Sequence, residues 1–163
     1  MRTAEQWFEI YGESHQNLTN KLIHWVCIPL ITLSTVGLMQ RIPDPFGDAP
    51  LAHWGTLFVL AAQAFYLRLS WTIALGMAVV SGIVLATNHA IAAAGYDIGV
   101  VSAAIFFVAW VAQFIGHKIE GKKPSFFQDL QFLLVGPAWL VQAAYRRVGI
   151  PVSPQGASAG TIA

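Results

Sequence analysis

A single cysteine in 163 residues, Cys27, excludes an intramolecular disulfide, a thiolate zinc framework and a CxxC redox pair within the chain. Any metal held here must be bound through nitrogen and oxygen. Charge is nearly as scarce, at 10% of residues against about 25% in an ordinary soluble domain. The 9 Lys and Arg are balanced by 8 Asp and Glu, and the resulting net charge of +1 supplies no basic field for nucleic acid. The first stretch, MRTAEQWFEIYGES, lacks the continuous apolar region and small-residue cleavage site of a secretory signal peptide, so it is expected to stay in the mature protein. What the chain has in abundance is apolar side chain, 56% of the sequence. That balance is expected of a membrane protein.

Residues 22–39, 51–69, 71–94 and 99–117 are apolar runs of about 18 residues or more, long enough to cross a hydrocarbon core about 30 Å thick. RIPDPFGDAP, RLSW and GYDI separate them as turn segments. A further apolar run, FFQDLQFLLVGPAWLVQAAY, is interrupted at Gly136-Pro137 and opens with Gln128, Asp129 and Gln131, a pattern that predicts an interfacial or half-inserted helix. The expected fold is therefore an all-α polytopic membrane bundle of four transmembrane helices. An N-terminal amphipathic helix carrying Trp7, Phe8 and Tyr11 and a C-terminal interfacial helix complete it. Residues 1–150 form one expected domain, and the Pro-, Ser- and Gly-rich 151–163 a flexible tail.

With four spans, Arg2, Lys21, Arg68, Lys118, Lys122, Lys123, Arg146 and Arg147 fall on one side and Arg41 alone on the other. The basic bias places both termini in the cytoplasm, in the plasma (inner) membrane of a bacterium or the endoplasmic reticulum of a eukaryote. Ala74, Ala78, Gly82, Ala86, Ala90 and Ala94 form a small-residue stripe with a period of four, which predicts a close helix interface in lipid.

The same topology sorts the five histidines by depth. His15 precedes the first span, His24 lies in its first turn and His117 ends the fourth, all near one face. His53 and His89 lie toward the other and are expected to be interfacial or packing residues. His15 and His24 are nine apart, which places them on opposite sides of one straight helix. A helix break at residues 16–19, with Asn17 or Thr19 as a new N-cap, lets both face one pocket. Glu120 shares a helix face with His117 if that helix runs one more turn, and Asn20 lies one turn before His24, placed to orient it or its partner. Asp129 either complements a helix N-terminus or supports a histidine.

Three imidazoles and a carboxylate with open positions suit a redox-capable first-row metal such as Fe(II), although zinc fits the same ligands. Interfacial histidines bonded to headgroups or helix ends are the bland alternative. A haem-binding electron-transfer bundle and a non-enzymatic scaffold or transporter are the other open readings.

YGESHQNLTNKLIHWVCIPLI and FIGHKIEGKKPSFFQDLQFLLVGPAWLV carry a resemblance. Through Tyr11, His15, Asn20, His24 and Pro29, then Gly116, His117, Glu120, Pro124, Asp129 and Pro137, the chain is similar to the membrane 2-hydroxy fatty acid dioxygenases of fatty acid alpha-oxidation. The resemblance implies an Fe(II)-dependent enzyme that uses O2 to shorten a long-chain 2-hydroxy fatty acid by one carbon with release of CO2. His15, His24 and His117 would then be metal ligands and Glu120 a fourth ligand or an acid/base group. Asn20 and Asp129 would act from behind the ligands. The acyl chain would stay among apolar helices while its polar head reaches the metal.

Overall fold

The computed structural model describes residues 3–43, 51–121 and 126–152, the side chains of 126–131 excepted. Six helices and no strands occur among them: α1 (Ala4–Glu13), α2 (Leu18–Gln40), α3 (Trp54–Leu69), α4 (Trp71–Ala93), α5 (Ile98–Glu120) and α6 (Phe126–Arg147). The segment 44–50, the basic pair Lys122-Lys123, and the tail from 153 onward lie outside the described residues.

Local chemistry sets the helix boundaries that matter for the site. Thr3 and Gln6 form a reciprocal capping box that starts α1. The expected break is present: α1 ends at Glu13, and Asn17 caps α2 by accepting the backbone N–H of Thr19 at 2.9 Å and of Asn20 at 3.4 Å. His15 therefore sits in a short turn between two helices. At the other end of the chain α5 continues through Glu120 and stops at Gly121, whose φ of 73° is open to glycine without a Cβ penalty. His117 and Glu120 thus share the last turn of one helix. Ser70 alone joins α3 to α4, accepting the Ile73 N–H through its hydroxyl.

The surface is inverted relative to a water-soluble protein. Val79, Val100, Phe107 and Val108 are exposed, whereas Asn20, Ser34 and Asn88 are completely buried. Contiguous apolar surface with polar groups inside is what a hydrocarbon solvent selects. α2, α4 and α5 are long and apolar enough to cross a membrane. The expectation of four full spans is met by three: α3, at 16 residues, is about 24 Å long and falls short of a 30 Å core.

The most extensive helix contact is between α2 and α5, which run antiparallel. Small residues allow it. A Cβ on Gly37 would overlap the Ser102 hydroxyl, and one on Gly116 would overlap Asn20 Oδ1. Asn88 of α4 reaches the same seam and donates from Nδ2 to Leu33 O at 3.1 Å. The small-residue stripe of α4 is a correction to expectation. Ala74 is buried, but Ala78, Gly82, Ala86, Ala90 and Ala94 are exposed, and the close approach of α4 to α6 is made off the stripe at Gly76, beside Val141 and Tyr145.

A second apolar core packs Phe8 and Tyr11 of α1 with Ile28, Tyr66, Ile73, Val135 and Ala138. Two tyrosines fix α6 against this body. Tyr66 Oη donates to Leu134 O at 2.9 Å, and Tyr145 Oη donates to Thr72 O at 3.0 Å. Pro137 has no N–H for Leu133 O, so α6 runs through its middle with one ladder hydrogen bond fewer.

Candidate metal centre

Three of the four expected ligands converge. His15 arrives from the α1–α2 turn, His24 from the second turn of α2 and His117 from the last turn of α5. One ligand atom from each lies within 4.8 Å of the others. Their ring centroids are 4.2 Å apart for His15 and His24, 5.0 Å for His24 and His117 and 5.6 Å for His15 and His117. All three pairs are steeply inclined, so none is a flat stack. His15 and His24 are buried and His117 is half-buried.

The hydrogen bonds fix the tautomers. His15 Nδ1 is 2.6 Å from Tyr11 O and His24 Nδ1 is 2.9 Å from Asn20 O. A carbonyl only accepts, so each Nδ1 carries the proton and donates it, which leaves the lone pair on Nε2. His15 Nε2 is buried and has no partner in the protein. A backbone carbonyl behind one ring nitrogen and a bare lone pair in front is the usual arrangement of a metal-ligating histidine. The residues present therefore fit a metal ion.

Burial pushes His15 down to about 4, a shift that neighbouring His117 reinforces and the hydrogen bond to Tyr11 O only partly opposes. It is neutral at pH 7, the state in which imidazole binds metal. Tyr11 also stacks on His15, with centroids 4.2 Å apart and planes at 14°, and Trp139 lies beside the pair, 5.5 Å from Tyr11 and 5.8 Å from His15. Sequence reasoning marked Tyr11 without this role and missed Trp139. The signal available for Trp139 was a lone aromatic two residues past a helix-breaking proline.

Glu120 stands outside the convergent group. Its Oε1 accepts the backbone N–H of Gln16 at 2.7 Å, and its Oε2 accepts that of Asn17 at 2.9 Å and Asn20 Nδ2 at 3.0 Å. Asn20 Nδ2 is also 3.3 Å from Ser14 O. Asn20 thus supports His24 with its main-chain carbonyl and the turn with its side chain. The Asp129 side chain lies outside the described residues. His53 caps α3, its Nδ1 accepting the Thr56 N–H at 3.1 Å, and His89 is exposed on α4; neither joins the centre.

A family model described as 2-hydroxy-palmitic acid dioxygenase Mpo1-like matches residues 1–148. The chain belongs to that family. The matched span includes His15, His24 and His117 and the groups around them, from Tyr11 to Trp139. The family's description names a dioxygenase and a 2-hydroxy fatty acid. No curated protein and no solved structure matches the chain.

A small crevice, separate from the three histidines, lies deeper in the bundle. Its cavity volume is about 30 Å³, room for a water molecule or two and far below that of a small-molecule site. Thr32 and Val36 of α2, Ala62 and Tyr66 of α3, Met77 of α4 and Leu134 of α6 are among its walls. Thr32 lies eight residues beyond His24, about 12 Å deeper along the axis of α2 and about 80° around it.

Proposed function

We propose that this protein is an Fe(II)-dependent dioxygenase that shortens long-chain 2-hydroxy fatty acids by one carbon. One O2 converts the 2-hydroxy acid to the acid one carbon shorter, CO2 and water, a balance that needs no added reductant. The observation that carries this reading is the set of three inward-facing imidazoles, two of them with Nδ1 committed to backbone carbonyls, in a chain of the Mpo1-like family.

His15, His24 and His117 hold the metal, and bound iron supplies O2 chemistry that no side chain here can perform. The protein's own part is orientation and exclusion. Tyr11 O and Asn20 O keep two imidazoles in the binding tautomer, while Tyr11 and Trp139 shield the His15 ring from water. The acyl chain stays among the apolar helices while the carboxylate and 2-hydroxyl reach the histidines. Asp129 supports the centre from the start of α6. α3 crosses as a short fourth span, which returns the basic residues and both termini to the cytoplasmic side.

Three imidazoles within a few ångströms of one another favour a single ion over haem, whose axial histidines must stand on opposite faces of a macrocycle. The test uses the full chain purified in detergent and loaded anaerobically with Fe(II). Bound iron near one equivalent, and O2-dependent conversion of 2-hydroxypalmitic acid to the acid one carbon shorter, are expected. Iron that stays bound in the His15→Ala, His24→Ala, His117→Ala triple variant refutes the site.

A further inference from the structure

We propose that Glu120 is the latch of the centre and not one of its ligands: its carboxylate ties the α1–α2 turn to the end of α5 and so holds His15 against His24 and His117. The proposal rests on the metal-centre reading above.

A carboxylate has two oxygens, and both are in use. Three N–H groups converge on them at 2.7, 2.9 and 3.0 Å, two from the main chain of Gln16 and Asn17 and one from Asn20. The main-chain donors follow His15 directly and lie at the positive end of α2, where a negative charge is favoured. His15 is hydrogen-bonded to α1, by Nδ1 to Tyr11 O and by its own N–H to Gly12 O at 3.0 Å, and its ring stacks on Tyr11 with Trp139 of α6 beside it. The bonds to Glu120 are what join that unit to α5. His117 and Glu120, three residues apart on one helix face, therefore divide the work: one faces the other imidazoles and the other grips the segment that delivers His15.

Gly116 completes the device. With no Cβ at this position, the buried Asn20 amide lies against the α5 backbone, close enough for Nδ2 to reach Glu120. A side chain there would occupy the space of Asn20 Oδ1.

Glu120 acts through other residues and is a positioning residue, so its test separates position from ligation. Co(II) is titrated into the full-length wild-type protein and into Glu120→Gln and Glu120→Ala. Loss of a group that supports metal ligands costs about 10–100-fold in affinity. Glu120→Ala is expected to weaken cobalt binding in that range, and Glu120→Gln, which keeps one acceptor oxygen, by less. The visible d–d bands at saturation keep their positions in both. Bands that move in Glu120→Gln overturn the proposal by making Glu120 a ligand, and an unchanged affinity in Glu120→Ala overturns it by showing that nothing is latched. A metal-free arm follows amide exchange across Gln16 and Asn17. Protection in the wild type that is lost in Glu120→Ala supports the latch, and equal protection refutes it. If the wild type binds no cobalt, the metal-centre reading fails and the exchange result still decides the latch.

Discussion

Replacing Gly116 with alanine tests the α2–α5 seam and the centre at once. The added methyl would overlap Asn20 Oδ1, while Asn20 Cγ and Ile23 Cδ1 stand 3.5 Å away. Asn20 is completely buried and held at Nδ2 by Ser14 O and Glu120, so its amide cannot turn aside without breaking those bonds. Overpacking of this kind costs about 1–3 kcal/mol. Losing the hydrogen bond to the charged carboxylate costs about 1.5–3 kcal/mol more where the helices do not part, and the two are alternatives in part. A net loss of about 3 kcal/mol is expected, a fall of roughly 6–12 °C in unfolding temperature for a chain of this size. The control is Gly82→Ala in the middle of α4, where a Cβ meets nothing within 4 Å. There alanine is neutral or stabilising by up to about 1 kcal/mol. Thermal unfolding of both variants in one detergent, with metal content measured alongside, gives the comparison. Equal unfolding temperatures for Gly116→Ala and Gly82→Ala would refute the close packing at Asn20.

Acid should destabilise the metal-free protein. Between pH 6.5 and about 4 the unfolded chain protonates His15 and the folded chain does not, so stability falls as pH drops through that window, by roughly 3 kcal/mol in all. Denaturant titrations at stepped pH measure it, and a His15→Phe variant with the same slope would remove His15 as the cause. Metal at a hundred times its dissociation constant should restore about 2.7 kcal/mol at pH 7, read as a higher unfolding temperature that chelator reverses. Tyr11→Phe keeps the ring and the main-chain carbonyl and should retain metal, whereas Tyr11→Ala opens a cavity costing about 3–5 kcal/mol and should lose it.

The features legible in the sequence were those set by local chemistry. Asn17 as a cap, the break before it and the apolar runs each depend on neighbouring residues, and the histidines could be sorted by counting spans. The roles set across the bundle were not legible. The partners of Glu120 are mainly main-chain N–H groups more than 100 positions away, and an N–H group leaves no mark on residue type. The α4 stripe advertised a packing surface by its regularity, yet the tight contacts rest on Gly37, Gly76 and Gly116, isolated glycines that form no repeat. α3 reads as a span by composition, but Ser70 and His53 cap it at a length the run of apolar residues does not reveal.

The pairing of α2 with α5 also dictates an order of assembly. α2 carries Asn20, His24 and Ser34 on surfaces fully covered in the finished protein, and Gly37 and Gly116 show that α5 supplies much of that cover. A chain that has made only its first spans must keep these polar groups from lipid without their partner helix. The first helix into the bilayer is therefore the last to be completed, and a centre that draws His117 from α5 takes shape only when the fold closes on itself.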